Sequence, residues 1–263
     1  MINRFSVNSK LKSILNNLIP FLPLLLLWQY LFTMKIVPPS FLPSPLAIPK
    51  AFVQLIFDDN LGAQVGVTLY RVLFAAIFGL VIGIASGILI STSKFLYKIT
   101  RDLIDFLQAV GEIGWLPLLV IWSGFNDRTI MIAIGYTIFF PIFYGTISGF
   151  QQIPKNLIDS IRTLGGNKKD IILHVMLPGA LPSIITGFRT GVGFGWRTVI
   201  LAEMLIAQSG LGVTLFYARQ FFRVDWVFVG MILSGLIWLT MDNVLLKPLE
   251  ARTIQRWGIK KAI

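Results

Sequence analysis

Long, unbroken apolar runs dominate this chain of 263 residues, and six of them approach or exceed the length of a bilayer-crossing helix. Such a helix needs about 20 mainly apolar residues, with a range of about 17–25. Backbone amides inside a bilayer must hydrogen bond within the protein, so spans are helices or closed barrels, and continuous apolar runs indicate helices. We therefore predict an all-α membrane protein with six transmembrane helices, at residues 18–34, 65–90, 106–125, 129–150, 181–206 and 226–246.

The composition excludes several classes of protein. The chain is 55% hydrophobic and 13% charged, whereas soluble domains are typically about 25% charged. It has no cysteine, so disulfides and thiol chemistry are excluded, and His174 is the only histidine. A histidine-based metal centre is not expected from one histidine, and the same scarcity of chemical groups argues against an intramembrane enzyme.

The basic residues predict the orientation of the chain. One set of loops and tails holds 15 Lys and Arg and the opposite set holds 5, and cytoplasmic loops carry such an excess. We expect both termini in the cytoplasm, with tails at residues 1–17 and 247–263, a membrane domain at 18–246 and a cytoplasmic insert at about 151–180. The net charge of +11 then indicates attraction to lipid headgroups, not nucleic acid.

The insert between the fourth and fifth spans is predicted to be two short helices. Pro154 suits the start of the first helix, whose apolar positions are Leu157, Ile158, Ile161 and Leu164. Gly165 and Gly166 are expected to end it, and Asn167 to cap the second. The prolines of Leu177-Pro178 and Leu181-Pro182 are expected to break the chain where it re-enters the membrane. The spacing does not decide whether the apolar face packs on this protein or on another.

Several charged residues fall in or near the spans, where a charge usually faces a cavity or a partner. For Glu112, Arg197 and Glu203 two interpretations remain open: they line a path together with Trp115 and Trp196, or Arg197 and Glu203 pair to hold helices. We expect structural roles for Arg71, Arg189 and Asp242 and a plain polar role for His174. Glycines recur every four residues at 79, 83 and 87, which favours close helix packing within one subunit over a dimer seam.

The insert also resembles a known motif. Asp159-Ser160-Ile161, three residues, Gly165, nine residues, and Val175-Met176-Leu177-Pro178 is similar to the EAA motif of binding-protein-dependent ABC transporter permeases. That pattern runs Glu-Ala-Ala, three residues, Gly, nine residues, Ile, one residue, Leu-Pro, so the match departs at its first three residues. Further stretches resemble permeases of nitrate, sulfonate, taurine and bicarbonate importers: Leu42-Pro43-Ser44-Pro45, Trp115-Leu116-Pro117-Leu118, Ala202-Glu203-Met204 and Gly210-Leu211-Gly212.

The resemblance implies a type I importer permease in the plasma (inner) membrane that works as a homodimer. It implies two ATP-binding partner subunits, which hold ATP and magnesium, and an extracytoplasmic substrate-binding protein that delivers a small solute such as nitrate, bicarbonate or a sulfonate. The insert would then be a coupling helix contacting the ATPase through Leu157, Asp159, Ile161, Leu164, Gly165, Gly166, Leu177 and Pro178. The chain itself has no GxxxxGK[ST] phosphate-binding loop, and we expect no cofactor on it.

A self-contained, ion-coupled secondary transporter is the alternative function. Such a protein needs no ATPase and has its substrate and ion sites near the middle of the membrane. No inverted internal repeat is visible in the sequence, and the structured insert favours the ATP-driven importer.

Overall fold

The computed structural model describes residues 22–38, 41–58 and 60–256, and this part of the chain contains helices and no strand. The helices are α1 (Leu22–Thr33), α2 (Ala47–Asp58), α3 (Leu61–Ser91), α4 (Lys94–Ser123), α5 (Asp127–Gln151), α6 (Lys155–Thr163), α7 (Lys168–Ile171), α8 (Leu177–Ile206), α9 (Leu211–Gln220), α10 (Val224–Met241) and α11 (Lys247–Arg256). Two π-helical turns, Ile172–Met176 and Asp242–Leu246, join α7 to α8 and α10 to α11.

Five helical segments of the described chain are long and apolar enough to cross a membrane. They are Leu61–Ser91, Phe95–Ser123, Asp127–Gln151, Lys168–Ile206 and Val224–Thr253. Five of the six predicted spans are thus confirmed as apolar helices. The first predicted span, residues 18–34, lies partly outside the described residues, and its described part is the 12-residue helix α1.

The third predicted span, residues 106–125, begins earlier in the structure than expected. It was expected to begin at residue 106 after a basic loop, but α4 already begins at Lys94, because the Ser93 side chain caps the helix by accepting a hydrogen bond from the Leu96 amide. The irregularity inside α4 falls at Gly111, whose φ of 68° and ψ of 161° are non-helical, and not at Pro117. Glycine adopts this positive φ without the steric cost that other residues meet.

The expected break at the prolines after the insert is wrong. The helix runs from Lys168 to Ile206 through Pro178 and Pro182. The preceding π-helical turn explains this continuity, since the Leu177 amide donates to the Ile172 carbonyl, five residues back. Such a turn re-routes the hydrogen-bond ladder just where Pro178 has no amide hydrogen to contribute.

The larger of two compact units comprises Leu61–Phe216 and Leu233–Ile263, and its core is built from α3, α5 and α8. Glycines permit this close packing. A Cβ added at Gly83 would lie 2.9 Å from Ile142, and one at Gly87 would lie 2.6 Å from Thr146, both on α5. On the other side of α5, a Cβ at Gly187 of α8 would lie 2.4 Å from the Pro141 carbonyl oxygen. The predicted packing role of the α3 glycines within one subunit is therefore confirmed.

The smaller unit comprises Met1–Asn60 and Tyr217–Ile232. Within it the Trp28 ring lies 5.1 Å from the Phe228 ring, and the Trp28 indole donates to the Pro43 carbonyl at 2.9 Å. Arg223 joins α2 to the beginning of α10 by donating to Gln54 at 3.0 Å and lying over the Trp226 ring.

Candidate functional site

The predicted insert forms two short helices with well-defined ends. After α6 the Gly166 amide donates to the Ile161 carbonyl and the Gly165 amide to the Arg162 carbonyl, with Gly165 at a φ of 83°. This pair of bonds is a Schellman motif, which glycine at the left-handed position permits. Asn167 then caps α7 reciprocally with Asp170. The predictions that the two glycines end the first helix and that Asn167 caps the second are confirmed.

The apolar side of α6 is largely uncovered. Leu164 is 83% exposed and Leu157 is 50% exposed, and no residue of α6 is buried. Asp159 pairs with Arg162 at 3.3 Å on the exposed polar side. A cleft of 450 Å³ lies between α6 and the beginning of α8; its lining includes Leu157, Ile161 and His174. Residues from both halves of the predicted motif, Ser160 and Ile161 from the first and Val175 from the second, thus line one cleft.

His174 lies within the π-helical turn and is exposed, with Nδ1 3.1 Å from the Asp170 carbonyl oxygen. The contact is local to one helical turn. The geometry therefore agrees with a plain polar side chain on the insert.

A second group of predicted residues lies inside the membrane-spanning helices, just after the irregularity in α4. The Thr198 hydroxyl of α8 donates to Glu112 Oε1 at 3.0 Å, and the Thr137 hydroxyl of α5 lies 3.2 Å from the Thr198 hydroxyl. Three helices are thereby joined by one carboxylate and two hydroxyls. Thr137 and Thr198 were not predicted, because a threonine in an apolar helix commonly bonds only to its own backbone.

Aromatic side chains accompany this carboxylate. The Trp115 and Tyr136 ring centroids are 6.3 Å apart, and the Trp115 indole nitrogen is buried. The Tyr136 hydroxyl donates to the Leu107 carbonyl, one turn before the Gly111 irregularity. We name Glu112, Trp115, Tyr136, Thr137 and Thr198 the Glu112 cluster.

Arg197 and Glu203 do not pair, so that structural interpretation is wrong. Arg197 is exposed and its guanidinium lies 5.8 Å from the centre of the Phe194 ring. Glu203 is 1% exposed and pairs with Arg71 at 2.7 Å. Trp196, the neighbour of Arg197, is 4% exposed and its indole donates to Ser234. Glu203 and Trp196 are therefore enclosed within the subunit.

The pair of Arg71 and Glu203 is the most extensively bonded buried group in the described chain. The Glu203 carboxylate accepts from the Gly212 amide at 2.9 Å, and the Thr68 hydroxyl lies 2.9 Å from both of its oxygens. Arg71 also donates to the Ser209 carbonyl and to Asp127. The sequence held a signal for these partners, since Thr68 and Arg71 are polar residues three positions apart on the largely apolar α3.

Two stretches that resemble the importer permeases, Ala202-Glu203-Met204 and Gly210-Leu211-Gly212, meet at the pair of Arg71 and Glu203. Gly210 has a φ of 123°, and a Cβ there would lie 2.4 Å from the Glu203 carboxylate carbon. A Cβ at Gly212 would lie 2.7 Å from the Glu203 Cβ. Glycine is required at both positions because the chain wraps closely around the carboxylate.

A further ionic network confirms structural roles for Arg189 and Asp242. Arg189 of α8 bonds to Asp242 at 2.7 Å and to Glu250 at 2.6 Å, and Lys247 lies 3.4 Å from Asp242. These contacts hold α8 against the second π-helical turn and α11.

Comparison with known proteins agrees with this geometry. Residues 79–247 match the family model described as binding-protein-dependent transport system inner membrane component. The taurine transport system permease protein TauC of Escherichia coli (strain K12) is 30% identical over 242 residues, which cover 89% of this chain and 84% of that protein. The nitrate import permease protein NrtB of Synechocystis sp. (strain ATCC 27184 / PCC 6803 / Kazusa) is 29% identical, over 84% of this chain and 82% of that protein.

Solved structures show the same fold. A structure titled as an inward-facing conformation of the MetNI methionine ABC transporter matches with a TM-score of 0.58 and 17% identity, over 72% of this chain and 95% of that chain. A structure titled as an amino acid ABC transporter with histidines matches with a TM-score of 0.63 and 15% identity, over 76% and 98%. With a family model over more than half of the chain and a 30% identical permease over most of it, this chain belongs to the inner membrane components of binding-protein-dependent transport systems and is a transport permease subunit of the ABC class, not an enzyme.

Proposed function

We propose that this chain works as a pair of identical copies that together form the path of an ATP-driven importer. Each copy has six membrane spans, both termini in the cytoplasm and the insert of α6 and α7 on the cytoplasmic side. The domain map is the predicted one, with tails at 1–17 and 247–263 around the membrane domain at 18–246. Family membership and the basic balance of the loops, 15 against 5, support this arrangement.

The exposed apolar face of α6 carries the proposal of a coupling surface. Leu157 and Leu164 lie on one face of the insert and are 50% and 83% exposed, and exposed apolar residues grouped on one face mark a surface for a protein partner. We assign this partner as one of two ATP-binding subunits, which hold ATP and magnesium, with Leu157, Ile161 and Leu164 seated in its groove. Asp159 and the turn at Gly165 and Gly166 shape the end of that surface, and Leu177-Pro178 transmits its movement into α8.

Uncovered polar side chains on α8 support the proposal of a second copy and a path. Thr186, Thr190 and Arg197 are exposed and recur at helical spacing on one face. Polar residues in a spanning helix usually face the interior of a bundle or a water-filled cavity. We propose that this face, with Glu112 and Trp115 of α4, lines the path between the copies. Glu203 and Trp196 are left out because they are enclosed within the subunit.

The proposed solute is a small anion such as nitrate, bicarbonate or a sulfonate, delivered by an extracytoplasmic binding protein. The taurine and nitrate permeases among the relatives support this class. On import, ATP closes the two partner subunits and moves the inserts, so the pair opens outward to receive the solute. Hydrolysis then returns the path to its inward-facing form.

Purification of the complex tests this function. Leu164→Glu places a carboxylate where an apolar side chain would be buried, and burial of a leucine contributes about 1.5–3 kcal/mol. We expect about a tenfold or greater loss of ATPase co-purification, since 1.4 kcal/mol corresponds to about tenfold in affinity. Lys155→Ala is the matched control: it also lowers the charge by one and lies on the opposite side of α6.

The proposed coupling surface requires that Leu164→Glu retain less co-purified ATPase than Lys155→Ala. Equal retention of the ATPase by both would show that α6 is not the contact. Uptake by this chain alone, driven by a proton or sodium gradient, would instead establish the secondary transporter.

A further inference from the structure

The Glu112 cluster lies deep within the membrane-spanning part of the fold, whichever way the chain is oriented. Glu112 is 11 residues before the end of α4 at Ser123, and Thr198 is 8 residues before the end of α8 at Ile206. At about 1.5 Å per residue these separations are about 12–17 Å, close to half of a hydrocarbon layer that is about 30 Å thick.

Glu112 is poorly compensated for an acid at this depth. Among the described residues Glu112 accepts one hydrogen bond, from Thr198, and none of the ion pairs includes it. A carboxylate has two oxygens and about four lone-pair positions, so most of its capacity to accept is unused. Glu203, by contrast, has an arginine, a backbone amide and a hydroxyl around it. Glu112 is also only half-buried.

The surroundings of Glu112 suit a cationic group. Trp115 lies one turn further along α4, and its ring is 6.3 Å from that of Tyr136. Aromatic faces beside a carboxylate attract ammonium groups through the ring quadrupole as well as the charge. The backbone irregularity at Gly111, immediately before Glu112, is of the kind that is tolerated at membrane depth where it lines a cavity or is buried in protein.

A positive charge, that of Arg197, lies one residue before Thr198 of the Glu112 cluster. Arg197 follows Trp196 and precedes Thr198, and it is exposed. Its guanidinium lies near the Phe194 ring, and among the described residues it forms no ion pair with a carboxylate. A solute with separated negative and positive groups can therefore meet both an arginine and a carboxylate in this part of the membrane domain. A simple anion would meet Glu112 as a like charge in a medium of low dielectric constant, which opposes its passage.

We propose that Glu112, with the Trp115 and Tyr136 rings, selects solutes that carry an ammonium group in addition to an anionic group. This inference rests on the proposed function, and it narrows the solute from small anions in general to zwitterions such as an aminosulfonate. Arg197 takes the anionic group and Glu112 takes the ammonium group. Thr198 is a positioning residue, because its hydroxyl holds Glu112 Oε1 in place.

Taurine and isethionate are the probes that test this selection, since they share an ethanesulfonate and differ only in an ammonium or a hydroxyl group. The complex of the permease, its ATPase and its binding protein is placed in liposomes, and ATP-driven uptake of each labelled probe is measured. Glu112→Gln keeps the shape of the side chain and removes its charge. We expect taurine uptake to fall by about tenfold or more and isethionate uptake to change by less than about twofold.

The ratio of taurine to isethionate uptake separates selection from folding, because a folding defect lowers the uptake of both probes equally. Comparison of this ratio between wild type and variant removes the preference of the binding protein, which is the same in both. Asp102→Asn, an exposed acid at the other end of α4, is the control and is expected to leave both uptakes unchanged. An equal fall of both probes in Glu112→Gln, or any other result that leaves the ratio of taurine to isethionate uptake unchanged, overturns the proposal. Uptake that persists without ATP refutes the importer function instead, while the ratio still reports on Glu112.

Discussion

The buried pair of Arg71 and Glu203 gives a sharp prediction about stability, because its two members are not equivalent. The Glu203 side chain is 0% exposed, and Arg71 is the one positively charged residue that pairs with it within the described part of the chain. Arg71 is 1% exposed but has a second carboxylate, since its other terminal nitrogen lies 2.6 Å from Asp127. Removal of the arginine therefore strands a buried negative charge, whereas neutralisation of Glu203 leaves the arginine paired.

The magnitudes follow from this asymmetry. Arg71→Met is expected to cost about 3–5 kcal/mol of unfolding free energy, the usual effect of leaving one member of a buried ion pair alone. Glu203→Gln keeps one oxygen that can accept from Arg71, but an NH2 group replaces the oxygen that accepts from the Gly212 amide. The variant is therefore expected to cost about 1.5–3 kcal/mol, the value of one charge-assisted hydrogen bond. In the double variant the stranded charge is absent, so it is expected to be more stable than Arg71→Met alone.

Thermal unfolding of the purified protein in detergent, followed by size-exclusion chromatography, provides the measurement. Arg162→Met is the control, since Arg162 forms an exposed pair with Asp159 at 3.3 Å and such pairs contribute about 0–1 kcal/mol. The reasoning is refuted if Arg71→Met and Arg162→Met unfold at the same temperature, or if the double variant is less stable than Arg71→Met.

Two further predictions concern packing and capping. Gly87→Leu is expected to destabilise the fold by about 1–3 kcal/mol or more in a thermal melt, because a Cβ there already lies 2.6 Å from Thr146; Gly66→Leu, on the same helix with nothing within 4 Å, is the control and is expected to be neutral. Asn167→Ala removes the cap that accepts from the Asp170 amide and is expected to weaken α7 by about 0.5–2 kcal/mol, seen as faster hydrogen exchange of that amide. Unchanged melting of Gly87→Leu, or unchanged exchange in Asn167→Ala, would contradict these accounts.

The sequence predicted most of what depends on neighbouring residues. Apolar runs of sufficient length specify membrane helices wherever they occur, so five spans were recognisable without a structure. The glycines at 165 and 166 and the cap at Asn167 act over one helical turn, and their roles were predictable for the same reason. The exception was Pro178, where a π-helical turn five residues long re-routed the hydrogen bonds that a proline was expected to break.

The tertiary structure alone decided which charges meet. Arg71 and Glu203 are 132 residues apart, and only the packing of α3 and α8 against α5 brings them within 2.7 Å. Arg197 was an equally reasonable partner for Glu203 on the same helix, but it points away from the core while Glu203 points into it. The length and order of the helices are set by local chemistry, whereas the pairing of buried charges depends on helix rotation, which the whole core determines. The insert shows the same division. The ends of its helices were predictable from the sequence, whereas the exposure of Leu164 could be seen only in the folded structure.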